Sequence, residues 1–183
     1  MMRIFDFLFS FLGLLFGFPI LLAIFLLVLF ETGSPLFIQE RVGRRKKPFN
    51  LVKFRTMSKD TASVASHLVS SASITKTGGF LRRTKLDELP QLWNVLMGEM
   101  SLVGPRPNLF NQEELIKQRE TLGVYDVLPG ITGLAQINGI DMSTQELLAR
   151  TDRDMIDHLS TSNYFKYLFI TVTGKGYGDR VKS

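Results

Sequence analysis

The feature that most constrains this chain is an unbroken apolar run near its start. From Phe7 to Phe30 the sequence reads FLFSFLGLLFGFPILLAIFLLVLF, 24 residues without a charge. At about 1.5 Å per residue, a helix of that length is roughly 36 Å long, enough for a hydrocarbon core of about 30 Å. A buried helix of a soluble domain carries a polar stripe, and this run has none. A cleaved signal peptide fits poorly, because the run is too long and Glu31-Thr32-Gly33-Ser34 offers no small-x-small cleavage site. The run is a membrane segment. Pro19 sits near its midpoint behind Gly17, and proline removes an intrahelical hydrogen bond and kinks a helix. Composition leaves two forms open: a kinked spanning helix, and one that enters and leaves by the same face.

Charge orients the segment. Between Arg41 and Lys59 lie eight cations (Arg41, Arg44, Arg45, Lys46, Lys47, Lys53, Arg55, Lys59) and no acid. The positive-inside tendency places this shelf in the cytoplasm, where it also attracts anionic headgroups. The shelf lacks an aromatic stacking platform, so nucleic acid is not the expected partner. Zero cysteines exclude a disulfide framework and a thiolate nucleophile, and two histidines, His67 and His158, argue against a zinc site. The 183 residues suit a membrane anchor at 1–32 followed by one domain at 33–183.

Within that domain, the Ser/Ala/Thr-rich stretch 60–77 reads as a mobile loop and candidate lid. The segment DELPQLWNVLMGEM reads as a helix with Leu89, Leu92, Trp93 and Leu96 as its buried stripe. Pro90 belongs in the first turn of that helix, Asp87 near its N-cap, and Gly98 at its end. Further helices are expected over Gln112 to Leu122 and Leu147 to Leu159, and Tyr164 to Val172 is aromatic and aliphatic.

Four clusters carry candidate chemistry. The adjacent acids Asp87 and Glu88 point different ways in a helix, so one can face a phosphorus while the other holds a metal or a proton. Arg82, Arg83 and Lys85 just upstream offset the repulsion such acids would exert on phosphate. In Gly104-Pro105-Arg106-Pro107 two prolines hold a guanidinium stiffly, and its fork suits bidentate phosphate binding. In Lys53-Phe54-Arg55-Thr56-Met57, strand alternation puts Lys53 and Arg55 on one face and Phe54 on the other. Pro129 to Gly139, PGITGLAQING, has three glycines that allow close backbone approach to a ligand, or equally serve as turns. Each cluster also has a plain structural reading: capping acids, a loop arginine, a basic edge.

Taken in order, QERVG (39–43), KFRTM (53–57), LDELPQLWNVLMGEMSLVGPRP (86–107) and PGITGLAQING (129–139) resemble the bacterial sugar transferases known as monotopic phosphoglycosyl transferases, in their small single-domain form. The resemblance runs from about residue 3 to 160; the segment after Asp154 matches only weakly. It implies a helix-rich α+β fold, with a re-entrant N-terminal membrane helix broken at Pro19 and a compact cytoplasmic catalytic domain with amphipathic interfacial helices. Both Met1 and Ser183 are then expected on the cytoplasmic face of a bacterial inner membrane. The resemblance also implies that Asp87 is the nucleophile, Glu88 its acidic partner, and Mg²⁺ the cofactor at that pair. Lys53, Arg55, Arg82, Arg106 and Gln136 would bind substrate. The implied reaction transfers a sugar 1-phosphate from a UDP-sugar to undecaprenyl phosphate through a phosphosugar on Asp87, releasing UMP. That is a first membrane step in O-antigen, capsule, exopolysaccharide or glycoprotein assembly, with inner-membrane lipids and downstream glycosyltransferases as further partners. Two other classes compete: a membrane-associated Mg²⁺-dependent phosphohydrolase in which Glu88 activates water, and a non-enzymatic lipid-binding anchor.

Overall fold

A computed structural model of the chain describes residues 2–59 and 73–173. Most of the expected 60–77 loop, and everything after Thr173 including Ser183, lies outside the described residues. The architecture is helix-rich α+β. Helix α1 (Met2–Thr32) is followed by an antiparallel hairpin of β1 (Leu36–Val42) and β2 (Pro48–Phe54). Next come α2 (Lys76–Thr84), α3 (Gln91–Met97), β3 (Ser101–Val103) and α4 (Glu113–Thr121). The chain then forms β4 (Gly130–Thr132), parallel to β3, and the described residues close with α5 (Leu134–Ile137), α6 (Gln145–Asp157) and α7 (Thr161–Val172).

Helix α1 runs through Pro19 as one helical element of 31 residues. Both of its ends pack on the same domain. At the start, Arg3 donates to the carbonyls of Val95 at 2.7 Å and Met100 at 3.0 Å. Asp6 is buried, and its Oδ1 accepts from the Ser101 hydroxyl, the Leu102 amide and the Tyr164 hydroxyl at 3.0, 2.9 and 2.8 Å. At the far end, Ile24 and Val28 are buried in a cluster with Phe54 and Leu81. The middle projects instead: Phe16, Phe18 and Ile20 are 75%, 61% and 55% exposed, and nothing lies within 4 Å of a Cβ placed on Gly17. Ser10, the one polar side chain of the apolar run, returns its hydroxyl proton to the carbonyls of Asp6 and Phe7, which leaves no polar group facing outward.

Helix α3 departs from its sequence reading. It ends at Gly98 in the left-handed region, as expected, but begins at Gln91, so Asp87 is not its cap. The face turned inward is Gln91, Asn94 and Val95, while Trp93 is 53% exposed. Leu92 instead packs beside Gly13 of α1. The apolar stripe is thus divided, with Leu92 between α1 and the core and Trp93 facing outward. The inward Asn94 is satisfied by accepting from the Val52 amide at 3.1 Å and donating to the Asn50 carbonyl at 2.8 Å, which ties α3 to the hairpin.

Candidate active site

Helix α2 ends at Lys85, a non-glycine residue in the left-handed region (φ 58°, ψ 15°). Such a backbone costs on the order of 1 kcal/mol or more, and strain of this kind is common at functional sites. The reversal launches a single 3₁₀ turn, Leu86–Glu88, that carries both acids. They therefore follow the carbonyl end of α2, where an anion is unfavourable. Arg82 and Arg83 in the last turn of α2 counter that end.

Asp87 is 3% exposed. Beside it, Arg106 Nη2 donates to Glu88 Oε1 at 2.9 Å, with both side chains mostly buried. Burial pushes the Lys85 ammonium below its usual range; the Glu88 carboxylate opposes this and the Arg106 guanidinium adds to it. Glu88, Lys85 and Arg106 thus form one electrostatic unit, and the buried Asp87 adjoins it in the same 3₁₀ turn.

The Gly104–Asn108 segment that presents Arg106 is held by bonds from several elements. The Gly104 amide donates to the Thr132 carbonyl at 2.8 Å, and the Gly130 amide to the Pro105 carbonyl at 2.9 Å. Arg41 Nη1 donates to the Pro107 carbonyl at 3.2 Å, and the Val42 amide to the Asn108 carbonyl at 2.9 Å. The glycines of PGITGLAQING serve this packing. A Cβ on Gly130 would lie 2.0 Å from the Gly104 nitrogen, so the close approach is between two stretches of backbone.

The other expected residues surround this unit at different depths. Arg82 Nε donates to the Thr56 hydroxyl at 2.9 Å, joining α2 to the KFRTM segment. Its Nη1 is buried and, among the described residues, has no acceptor. Lys53 and Arg55 lie on one face as alternation requires, each 5.6 Å from the centre of the Phe37 ring, while Phe54 joins the cluster under α1. Arg55 donates to the carbonyls of Ser34 and Leu36 at 3.0 and 3.3 Å, holding the entry into β1. Gln136 donates to the Gly104 carbonyl at 3.4 Å from beneath the Arg106 segment, and its Oε1 is buried without a partner among the described residues. Pro19 lies on the exposed middle of α1.

Asp87 and Glu88 can accept a divalent cation. Among the described residues no three His, Cys, Asp or Glu side chains gather to hold a metal. Mg²⁺ does not need such a cage, because it commonly takes one or two carboxylates and completes its shell with water and substrate phosphate. Two adjacent acids flanked by arginines fit that mode.

Sequence reading missed the buried residues behind the site, Arg119, Asp152 and Asn108. Arg119 looks like any helix cation, and only Asn108, directly after the Pro-Arg-Pro motif, stood where a signal could have been found.

Comparison with known proteins points one way. The bacterial sugar transferase family profile matches residues 1–175. The chain is 42% identical over 143 residues to a Bacillus subtilis (strain 168) protein named "Uncharacterized sugar transferase EpsL", covering 78% of this chain and 70% of that protein. It is 40% identical over 148 residues to an "Uncharacterized sugar transferase" of Haemophilus influenzae, covering 69% of this chain and 31% of that protein. It is 38% identical over 161 residues to the "UDP-glucose:undecaprenyl-phosphate glucose-1-phosphate transferase" of Caulobacter vibrioides, covering 84% of this chain and 60% of that protein. The chain thus spans from about a third to about two thirds of these relatives' length. With the family profile covering residues 1–175 and a relative 42% identical over 78% of this chain, the chain belongs to the bacterial sugar transferase family.

Proposed function

We propose that the protein transfers a sugar 1-phosphate from a UDP-sugar to a polyprenyl phosphate, undecaprenyl phosphate by analogy with the named relative. The observation that carries this reading is the buried Asp87 beside the Glu88–Arg106 ion pair at 2.9 Å. In the first step an Asp87 carboxylate oxygen attacks the β-phosphorus. The bond from that phosphorus to the α–β bridging oxygen breaks, and UMP leaves with that oxygen. In the second step an oxygen of the polyprenyl phosphate attacks the same phosphorus, displacing Asp87 and forming the diphosphate linkage. Covalent catalysis of this kind splits one displacement into two. Mg²⁺, when bound, supplies positive charge to the phosphate oxygens. Arg106 and Arg82 bind and orient those oxygens, with the orphaned Arg82 Nη1 as a ready donor, and Glu88 holds Arg106 in place. Lys53 and Gln136 complete the substrate-binding set in this reading, and Arg55 shapes its edge.

The same reading seats α1 as a re-entrant anchor. A spanning helix leaves its ends on opposite sides of about 30 Å of hydrocarbon. The contacts of Asp6 and Val28 with one domain favour both ends on one side, with the exposed Phe16–Ile20 stretch around Pro19 dipping into lipid. Trp93 and Met97 on α3, and Phe169 and Val172 on α7, are further exposed apolar side chains of the kind suited to the headgroup boundary. The basic 41–59 stretch supports the cytoplasmic face of an inner membrane for that side.

Two measurements test these statements. The purified full chain should release UMP from at least one member of a UDP-sugar panel only when Mg²⁺ is present, and label from the sugar phosphate should move to undecaprenyl phosphate. Free sugar phosphate without lipid product would instead support the phosphohydrolase. For topology, the chain has no native cysteine, so Met2→Cys gives a single thiol. It should react with an impermeant maleimide only after the cytoplasmic side is opened; labelling of intact spheroplasts would overturn the re-entrant anchor.

A further inference from the structure

We propose that the buried Arg119–Asp152 pair is a positioning element for Arg106: Arg119 clamps the Arg106 carbonyl and the Asn108 side chain, and so aims the Arg106 guanidinium at the donor phosphates. The inference rests on the proposed function and adds a residue pair to that site.

The side chains of Arg119 on α4 and Asp152 on α6 are 1% and 0% exposed. A pair that only stapled two helices would gain most from a fork-to-fork bridge, with each carboxylate oxygen taking one N–H. That is not the geometry. Arg119 Nε and Nη2 both donate to Asp152 Oδ2, at 3.0 and 2.6 Å, while Oδ1 is buried without a partner among the described residues. The guanidinium is turned so that its third arm leaves the pair. Nη1 donates to the Arg106 carbonyl at 2.8 Å and to Asn108 Oδ1 at 2.9 Å. Tyr125, from the loop after α4, donates its hydroxyl to that same Asn108 oxygen at 2.9 Å.

The target of that arm explains its use. Pro105 and Pro107 have no N–H, so carbonyls do much of the work of tying this segment down. Those of Pro105, Pro107 and Asn108 are taken by Gly130, Arg41 and Val42, on strands or beside them. The carbonyl of Arg106 itself is taken from α4. Lysine would keep the charge at position 119 but could not reach Asp152, Arg106 and Asn108 together, because only the planar fork spans three acceptors.

The test uses the full-length enzyme and UMP release with a donor that the parent turns over. Arg119→Lys should lower kcat/KM for the UDP-sugar at least tenfold, mostly through the donor KM. In an Arg106→Lys background, the same change should cost threefold at most, because the residue it acts through is already impaired. A tenfold loss in both backgrounds, or no loss in the parent, would overturn the inference. Tyr125→Phe provides a gentler second variant should Arg119→Lys not fold. It should lower kcat/KM two- to fivefold in the parent and not at all beside Arg106→Lys; no loss in the parent overturns the inference equally. A parent that releases no UMP from any donor refutes the proposed function, whereas an active parent with indifferent variants refutes only this positioning role.

Discussion

Asp87→Asn will leave a folded protein that accumulates no phosphosugar adduct when incubated with UDP-sugar and Mg²⁺ in the absence of lipid acceptor. Intact-protein mass reads the result directly: the parent gains the mass of one phosphosugar and the variant gains none. UMP release should fall on the order of a thousandfold or more, as when a nucleophile is removed from a site that still binds. Asparagine matches aspartate in size, and Asp87 sits in the 3₁₀ turn without capping α3, so the helix does not depend on its charge. Glu88→Gln should retain shape and lose most activity, since the charged partner of Arg106 is gone. Arg106→Lys should be milder, about tenfold in kcat/KM, because a charge remains while the fork is lost. An adduct on Asp87→Asn of the same mass as on the parent would move the nucleophile elsewhere.

Asp6→Ala should destabilise the protein by about 2–5 kcal/mol, since two buried donors lose their acceptor at about 1–3 kcal/mol each. Its Oδ1 is the shared acceptor for Ser101, Leu102 and Tyr164, and Arg3 Nη1 stands 3.7 Å from its other oxygen. Burial, and then Asp6 itself, raise the Tyr164 hydroxyl well above the usual tyrosine range, so it remains a donor at any physiological pH. With alanine in place, a buried amide and a buried hydroxyl lose their acceptor. Such a loss is a large share of the 5–15 kcal/mol that typically separates folded from unfolded. Thermal unfolding in one detergent checks it, with Asp6→Asn as the control that keeps an acceptor and should cost only about 1 kcal/mol. An unchanged midpoint for Asp6→Ala would show that the first turn of α1 is not latched to the domain.

The limits of the sequence are clearest at α1, α3 and Arg119. The apolar run and its proline were plain in the letters, because a 24-residue stretch without charge has few fates. That both ends of the resulting helix meet one domain was not, since Asp6 finds its partners more than 90 residues away. In α3 the spacing of Leu89, Leu92, Trp93 and Leu96 correctly signals a helix with one apolar face. Periodicity does not say whether that face meets a core or a membrane boundary, and here the polar Asn94 turned inward. The acid pair, the proline-locked arginine and the alternation of Lys53 with Arg55 were local and therefore legible. The left-handed turn at Lys85 was not, because lysine carries no signal for it, and neither was the clamp on Arg106, which pairs residues from separate helices.

The bond between Asp6 and Tyr164 joins positions 158 residues apart, and this orders events on the ribosome. At about 5–20 residues per second, roughly 8 to 30 s of translation separate the two. For most of that interval α1 exists without its last partner, so its apolar surface needs shelter before the domain can supply it; under the proposed re-entrant anchor that shelter is lipid. The core is then completed around α1, and the final latch closes only when α7 arrives. A nascent chain released before Ser160 keeps the Asp6 carboxylate without its tyrosine, so unfinished copies lack the latch that ties the start of α1 to the domain.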